Sequence, residues 1–416
     1  MISVLVNAYA VSPNWGSEPG MGWNWIVNIA KYCNVYVITE GEWQSEIEAA
    51  VEKLPHKKNL HFYYNPVPEK IRKMCWNQGD WRFYWHYKKW QRRTLDIAED
   101  IIKHNKIDVI HQLNMVGFRE PGYLWKIKNI PFVWGPICGM DMMPLGYLQG
   151  VGWKQKQFNR LKNIINGYQR KYKTRVLRAL DRSQLVISAT KGAYDFIRNC
   201  HNKDTVLMSE TGCDLLSVPA ERPIDDSSTF NVVWVGRFIP SKKLDIALKS
   251  IQKTHNENII FHVIGTGNER EVDRYKDLSE ALGISPKVVW HGKVEHSRTL
   301  ELMANSDLLF FTSIMEATST VVPEAISVGL PILSFNTCGF GPIVKDFAGF
   351  AIEMSNPENS INEFAEQINM LERNRCLLQQ IRARQLVGRQ ELTWDKKAIF
   401  IVDHYKRILS EFRTEK

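Results

Sequence analysis

No stretch of this chain approaches the ~20 consecutive apolar residues that a membrane-spanning helix needs. The opening residues, Met1-Ile2-Ser3-Val4-Leu5-Val6, enter a strand-like pattern directly, without the basic and apolar regions of a secretory signal. A cytoplasmic protein is therefore expected. Seven cysteines are present (Cys33, Cys75, Cys138, Cys200, Cys213, Cys338 and Cys376), but they are dispersed, odd in number and without a Cys-x-x-Cys pair. That pattern argues against a disulfide framework and against a zinc site. No His-Glu-x-x-His occurs among the eleven histidines, and Asp-x-Asp occurs nowhere. The expectation is no bound metal and no cofactor. Internal repeats and low-complexity tracts are missing too. So is any zinc-finger, RNP or other nucleic-acid signature, and nucleic acid is not an expected partner.

What the chain does contain is ordinary globular composition, 44% hydrophobic and 24% charged. Its 416 residues exceed one ordinary core, so two domains are expected. Two series of strands run along it. The first passes through Val4 to Val6, Val35 to Ile38, His61 to Tyr64, Val109-Ile110, Phe132 to Trp134 and Leu185 to Ile187. The second passes through Val232 to Val235, Ile259 to Ile264, Val288 to Trp290, Leu308 to Phe311 and Pro331 to Leu333. Helix-length segments such as Trp23 to Tyr32, Lys242 to Thr254 and Asn268 to Leu282 lie between their members. This alternation implies parallel sheets with helices on both faces. Between the series, Ser217 to Thr229 gathers Pro219, Pro223, Asp225, Asp226, Ser227 and Ser228, the mark of a boundary. The final segment, Trp394 to Phe412, has helical periodicity through Ile399, Val402, Tyr405 and Ile408.

Two carboxylates carry the strongest chemical signal. Glu316 and Glu324 follow the apolar run Leu308 to Phe311, with seven residues between them. Pro323 is tolerated only in a first helical turn, so a helix should begin near Thr320. One glutamate then sits in the loop leaving a strand and the other about a turn into the helix. In open α/β sheets ligands bind at such strand ends. Upstream, a second strand ends in Gly236-Arg237, and Lys242 follows five residues later. Two cations at a strand's end are what a diphosphate needs.

At these motifs the chain resembles retaining glycosyltransferases of the GT-B fold, family 4, also called glycosyl transferases group 1. The resemblance extends to Asn7-Ala8-Tyr9-Ala10-Val11-Ser12-Pro13, to Gly16-Ser17-Glu18-Pro19-Gly20-Met21-Gly22-Trp23-Asn24-Trp25 and to Ile107-Asp108-Val109-Ile110-His111. It continues through Gly117-Phe118-Arg119-Glu120-Pro121, Phe132-Val133-Trp134-Gly135-Pro136 and Thr211-Gly212-Cys213-Asp214. The implied fold is α/β: two Rossmann-like doubly wound domains facing a central cleft, with a C-terminal helix crossing back to the first. Residues 1–216 would form the acceptor-side domain, 217–393 the nucleotide-sugar domain, and 394–416 the returning helix.

The resemblance also implies roles. Arg237 and Lys242 would stabilise the leaving diphosphate, and Glu316 would face the hydroxyls of the donor sugar. Glu324 would hold the ribose diol, and Ser319, Thr320 and Val321 would offer backbone N–H groups to the phosphates. Gly236 and Gly265 would lie at the same donor site. Gly16, Glu18, Gly20, Gly22 and His111 would line the cleft on the acceptor side, with Gly16 to Gly22 as a loop. The chain departs from many relatives at Ala317, where they carry glycine, and at Trp134-Gly135-Pro136, where they carry a histidine. The implied reaction transfers a sugar, with retention and without metal, from a UDP- or GDP-sugar to a glycan or lipid-linked acceptor. Cell-surface polysaccharide or lipopolysaccharide assembly is the implied setting.

Net charge of +9 and a pI near 9.0 call for an anionic partner. Between Lys154 and Arg182 cations are dense, with only Asp181 opposing, while Phe158, Leu161, Ile165, Tyr168, Tyr172 and Val176 recur at helical spacing. Such a basic amphipathic helix either packs its apolar stripe on its own domain or lies on an anionic membrane surface. The segment Lys70 to Arg93 adds Trp76, Trp81, Phe83, Tyr84, Trp85 and Trp90 among further cations, which suits a membrane interface or a lipid-linked acceptor. Two other function classes compete. A Rossmann-type oxidoreductase would need a third small residue after Gly20-x-Gly22 or Gly265-x-Gly267, where Trp25 and Arg270 stand. A non-catalytic nucleotide-sugar-binding protein would keep the fold and lose the chemistry, and Glu316, Glu324, Arg237 and Lys242 argue against that loss.

Overall fold

The computed structural model describes residues 1–77, 80–216, 229–255, 257–316 and 319–414. It divides into two units, each built on one parallel sheet. The first unit comprises Met1–Met140, Ile165–Gly212 and Trp394–Lys416. Its strands are β1 (Ile2–Asn7), β2 (Cys33–Thr39), β3 (Leu60–Tyr64), β4 (Val109–Gln112), β5 (Phe132–Ile137), β6 (Ser183–Ser188) and β7 (Val206–Leu207). They lie in the order β3-β2-β1-β4-β5-β6-β7, every pair parallel. In β1 successive side chains take opposite faces. Val4 and Val6 pack with Trp25, Ile26 and Ile401, whereas Leu5 packs with Ile110 and Phe132. Both faces are covered, which is why these strands read as continuous apolar runs.

The second unit comprises Asp141–Ile164 and Cys213–Thr393. Its strands are β8 (Phe230–Val235), β9 (Ile259–Ile264), β10 (Val288–Gly292), β11 (Leu308–Phe311), β12 (Ile332–Phe335) and β13 (Gly349–Ile352). Their order is β10-β9-β8-β11-β12-β13, again all parallel. Strand order reverses between β1 and β4 in the first sheet and between β8 and β11 in the second. This is the doubly wound pattern twice over, the α/β arrangement of the GT-B fold.

The helix Trp394–Thr414 belongs to the first unit. Trp394, Ile401, Val402, Tyr405, Ile408 and Leu409 enter its core beside the helix Ser17–Ile29. The Trp25 and Trp394 rings meet edge to face with centroids 6.2 Å apart. The Trp25 indole N–H donates to the Glu210 carbonyl at 2.9 Å.

The division departs from the expected boundaries in two places. The change from first to second unit falls after Gly212 rather than 216. Residues 217–228, on which the boundary expectation rested, lie outside the described residues. More substantially, Asp141–Ile164 clusters with the second unit. Tyr147 explains why: its ring is buried in that unit's core, and its hydroxyl bonds Ser360 Oγ at 2.7 Å and accepts from Ser355 N–H at 3.0 Å. The edge strands β7 and β13 were also absent from the sequence pattern. Both are short, and β13 opens on a glycine.

Ile401 has no exposed surface. Replacing it with alanine removes three buried carbons and leaves a cavity, and should cost about 2–5 kcal/mol. A urea unfolding midpoint shifted by less than the equivalent of ~1 kcal/mol would show that the returning helix does not share this core.

Candidate functional site at the second strand reversal

Because β8 and β11 are neighbours at the reversal, the loops leaving them diverge around one crevice. The chain first turns sharply after β8. Gly236 N–H donates to the Ile264 carbonyl at 3.0 Å, and Phe238 N–H to the Thr266 carbonyl at 2.9 Å. Gly265 has φ of +131°, and a Cβ there would stand 1.9 Å from the Gly236 carbonyl oxygen. Only glycine permits that approach. Gly265 therefore serves the close contact of two loops of its own chain.

The two loops of the crevice are stitched together. Thr312, just after β11, accepts from the Trp234 indole N–H at 3.0 Å. Its hydroxyl oxygen lies 2.8 Å from the Lys242 carbonyl and 3.1 Å from that of Lys243, a residue held at φ +53°. Ile314 N–H donates to the Ser241 carbonyl at 2.9 Å. This stitching brings the Lys242 ammonium against the Glu316 carboxylate as an ion pair, the two side chains only 12% and 11% exposed. Glu316 N–H donates to Cys338 Sγ at 3.1 Å. Burial pushes the Cys338 thiol up to about 12, so it stays protonated.

Arg237 is exposed and has no side-chain partner among the described residues. An unpaired guanidinium at this strand end escapes a burial cost because it remains in water. Thr320 immediately precedes the helix Val321–Ser327, close to the expected start, with Pro323 and Glu324 in its opening residues. Glu324 Oε1 lies 3.1 Å from His296 Nε2, whose side chain is 69% exposed. A carboxylate only accepts, so His296 must donate. No motif pointed to His296; it opens the helix His296–Ala304, and only the fold brings it to Glu324. Ser319 and Val321 flank Thr320, while Ala317 and Thr318 lie outside the described residues. Among the described residues, no three His, Cys, Asp or Glu side chains gather as a metal site.

The sequence-predicted residues of the first unit take a different form. Gly16 precedes a helix, Ser17–Ile29, so Glu18, Gly20 and Gly22 are helical rather than members of a loop. Pro19 is tolerated there because it falls in the first turn. Glu18 turns its carboxylate onto the Val116 N–H at 2.8 Å, and burial raises its pKa against the N–H bonds that lower it. A Cβ at Gly20 would meet the Trp15 carbonyl at 2.2 Å, and one at Gly22 the Ala10 carbonyl at 2.7 Å. These glycines admit their own chain, not a pyrophosphate, which further weakens a dinucleotide reading. No such constraint acts on Gly16, whose added Cβ would meet nothing within 4 Å.

His111 is corrected outright. It is fully buried, with Nε2 2.6 Å from the Gly135 carbonyl oxygen and Nδ1 against the Tyr405 hydroxyl. A carbonyl only accepts, so Nε2 carries the proton and Nδ1 accepts from Tyr405. Both nitrogens are spent inside the fold, and none faces a ligand.

Residues 222–385, which fall within the second unit, match the family model described as Glycosyl transferases group 1. The chain is 31% identical over 118 residues to the lipopolysaccharide glucosyltransferase WaaG of Escherichia coli (strain K12), covering 28% of this chain and 30% of that one. It spans about a third of the length of the curated relatives it matches first. Among solved structures, a glycosyltransferase from Rickettsia africae ESF-5 superposes with a TM-score of 0.63 at 16% identity, covering 98% of this chain and 99% of that one. Anabaena Alr3699/HepE in complex with UDP gives 0.62 at 14% identity, covering 98% and 100%. At such identities these structures speak for the fold alone.

Burial lowers the His111 pKa from its ordinary value to about 4. The folded state therefore binds fewer protons than the unfolded chain between about pH 4 and 6.5, so stability should fall as pH drops through that window. The contribution is roughly 3 kcal/mol at its limit. Urea unfolding at pH 7 and pH 5 should show the loss, and His111→Gln should blunt it; an equal pH slope in the variant would overturn the assignment.

Proposed function

We propose that this protein is a glycosyltransferase that moves a sugar from a UDP- or GDP-sugar to a glycan or lipid-linked acceptor, with retention and without a metal. One observation carries the reading: the Lys242–Glu316 ion pair, with the exposed Arg237 in the same loop as Lys242, at the ends of the two strands where the second sheet reverses. The group 1 domain match covers that same segment.

In the proposed reaction the bond between the anomeric carbon and the diphosphate oxygen breaks, and the diphosphate leaves with the electron pair. The acceptor hydroxyl forms the new bond and gives up its proton to the oxygen of the departing diphosphate. Negative charge grows on the departing diphosphate, where Arg237 and Lys242 stabilise it as cations. Glu316 accepts hydrogen bonds from the donor sugar, and Glu324 from the vicinal ribose hydroxyls. The acceptor belongs to the first unit. The likeness to WaaG supports a setting in lipopolysaccharide or polysaccharide assembly, with the enzyme working from the cytoplasmic side.

Arg237 offers the cleaner test of the phosphate contacts, since Lys242→Ala would also strand Glu316. Arg237→Ala should leave thermal stability unchanged while weakening UDP or GDP binding by about 1.5–3 kcal/mol. Binding is read by ligand-induced thermal stabilisation across a panel of nucleotides and nucleotide-sugars. Unaltered affinity for every nucleotide in the panel would sink the assignment. Transfer should also persist in saturating EDTA; activity abolished by chelation and restored by Mn²⁺ would contradict a metal-free leaving group.

The two glutamates should separate kinetically. Glu316→Gln should chiefly lower kcat, because it touches the sugar where charge develops. Glu324→Gln should chiefly raise the KM for donor, because the ribose does not change during reaction. Steady-state kinetics giving the reverse pattern would show the roles exchanged.

A further inference from the structure

The helix Trp153–Tyr172 is turned inside out. At 100° per residue, Ile164, Tyr168, Leu161, Tyr172, Ile165 and Phe158 fall on one arc of about 120°. All six are exposed, from 45% at Ile165 to 69% at Ile164. Trp153, at the start of the helix, is 72% exposed. The opposite face is polar and turned inward. Asn159 and Asn166 are buried. Asn163 exchanges hydrogen bonds with the Met143 backbone at 2.9 and 3.0 Å, Arg119 donates to Asn166 and Gln169 at 2.6 Å, and Arg170 donates to the Met140 carbonyl at 2.7 Å. Amide side chains hold the helix to the protein, and its apolar stripe is left in water. A soluble surface helix has the reverse arrangement.

We propose that this outward face docks on the surface of an anionic lipid bilayer. Charge selects that occupant. Lys154, Lys156, Arg160, Lys162 and Lys171 accompany the stripe, and the helix contains no carboxylate at all. An apolar stripe among cations without opposing charge is the pattern of a helix lying in the headgroup layer. Aromatic and long basic side chains suit that depth, since each has an apolar body and a polar end. No helix among the described residues is long and apolar enough to cross a membrane, so the contact is peripheral. Trp81, Tyr84 and Trp85 form a second group of exposed aromatic side chains, on the first unit. The inference does not depend on the donor chemistry proposed above.

The test is co-sedimentation of the full chain with phosphatidylglycerol/phosphatidylcholine vesicles and with phosphatidylcholine vesicles alone. The parent should pellet with the former and stay in solution with the latter. Lys154→Gln/Lys162→Gln/Lys171→Gln should weaken partitioning by about fivefold per cation, roughly 100-fold in all, and high salt should act in the same direction. Leu161→Gln/Ile164→Gln/Tyr168→Gln keeps the charge and should weaken it by about tenfold or more. These positions are exposed, so unchanged melting curves should accompany both variants. Negligible binding of the parent to anionic vesicles would overturn the proposal, as would an apolar triple variant that binds like the parent. So would a parent dimer in light scattering that the apolar triple variant dissolves, because a second copy would then cover the face.

Discussion

Parallel strands cannot be joined by a tight turn, and this constraint decides where chemistry can sit in the second unit. Every strand there must be followed by a crossover of a dozen or more residues, which covers both faces of the sheet. Polar side chains are left to the strand ends. At one pair of strands, β8 and β11, successive crossovers depart in opposite senses, and the loops between them are not forced together. The protein then has to fix them by other means. Thr312 does so from one loop by holding the carbonyls of Lys242 and Lys243 in the other, while its oxygen accepts a hydrogen bond from the Trp234 indole N–H. Without that stitch, Lys242 and Glu316 would be two side chains on separate loops.

The strands and the candidate-site motif were legible in the sequence for the same reason. Strands buried on both faces give unbroken apolar runs, and the polar residue that ends each run stands out: Gly236-Arg237 after β8, Glu316 soon after β11. What was not legible is whatever depends on contacts distant in the chain. His111 could be placed next to a strand from the sequence, but its ring direction is set by Tyr405, 294 residues away. His296 carries no pattern of its own, and Tyr147 gave no sign that it would anchor 141–164 to the second unit. Pro19 and the neighbouring glycines suggested a loop, although proline in a first turn and glycine under a crossing backbone are both compatible with the helix that forms.

Helical periodicity shows the same limit from the other side. Spacing reveals that Phe158, Leu161, Ile165, Tyr168 and Tyr172 share a face, and it is silent on which way the face looks. That is decided by the opposite face, where asparagine, glutamine and arginine find the backbone carbonyls and side chains that fix the helix. Each such hydrogen bond contributes about 0.5–1.5 kcal/mol, more for those to the charged arginines. Exposure of the stripe follows from satisfying those polar groups. A helix seated by amides can leave its apolar surface free for another medium, whereas one seated by leucine cannot.

The two cations of the candidate site differ in a way that bears on how it would work. Arg237 stands in water without a side-chain partner among the described residues, so a diphosphate could recruit it with little to break. Lys242 is nearly buried and already paired, so an incoming phosphate must share it with Glu316. Two anions competing for one ammonium are coupled: drawing Lys242 toward phosphate loosens its hold on Glu316. Under the proposed function, Glu316 then has lone pairs free for the hydroxyls of the sugar that arrives with the phosphate. As charge builds on the leaving group, the pull on Lys242 increases, and the two contacts strengthen together in the transition state rather than in the ground state. Interactions of that kind raise turnover, and an arginine that bound equally well throughout would not.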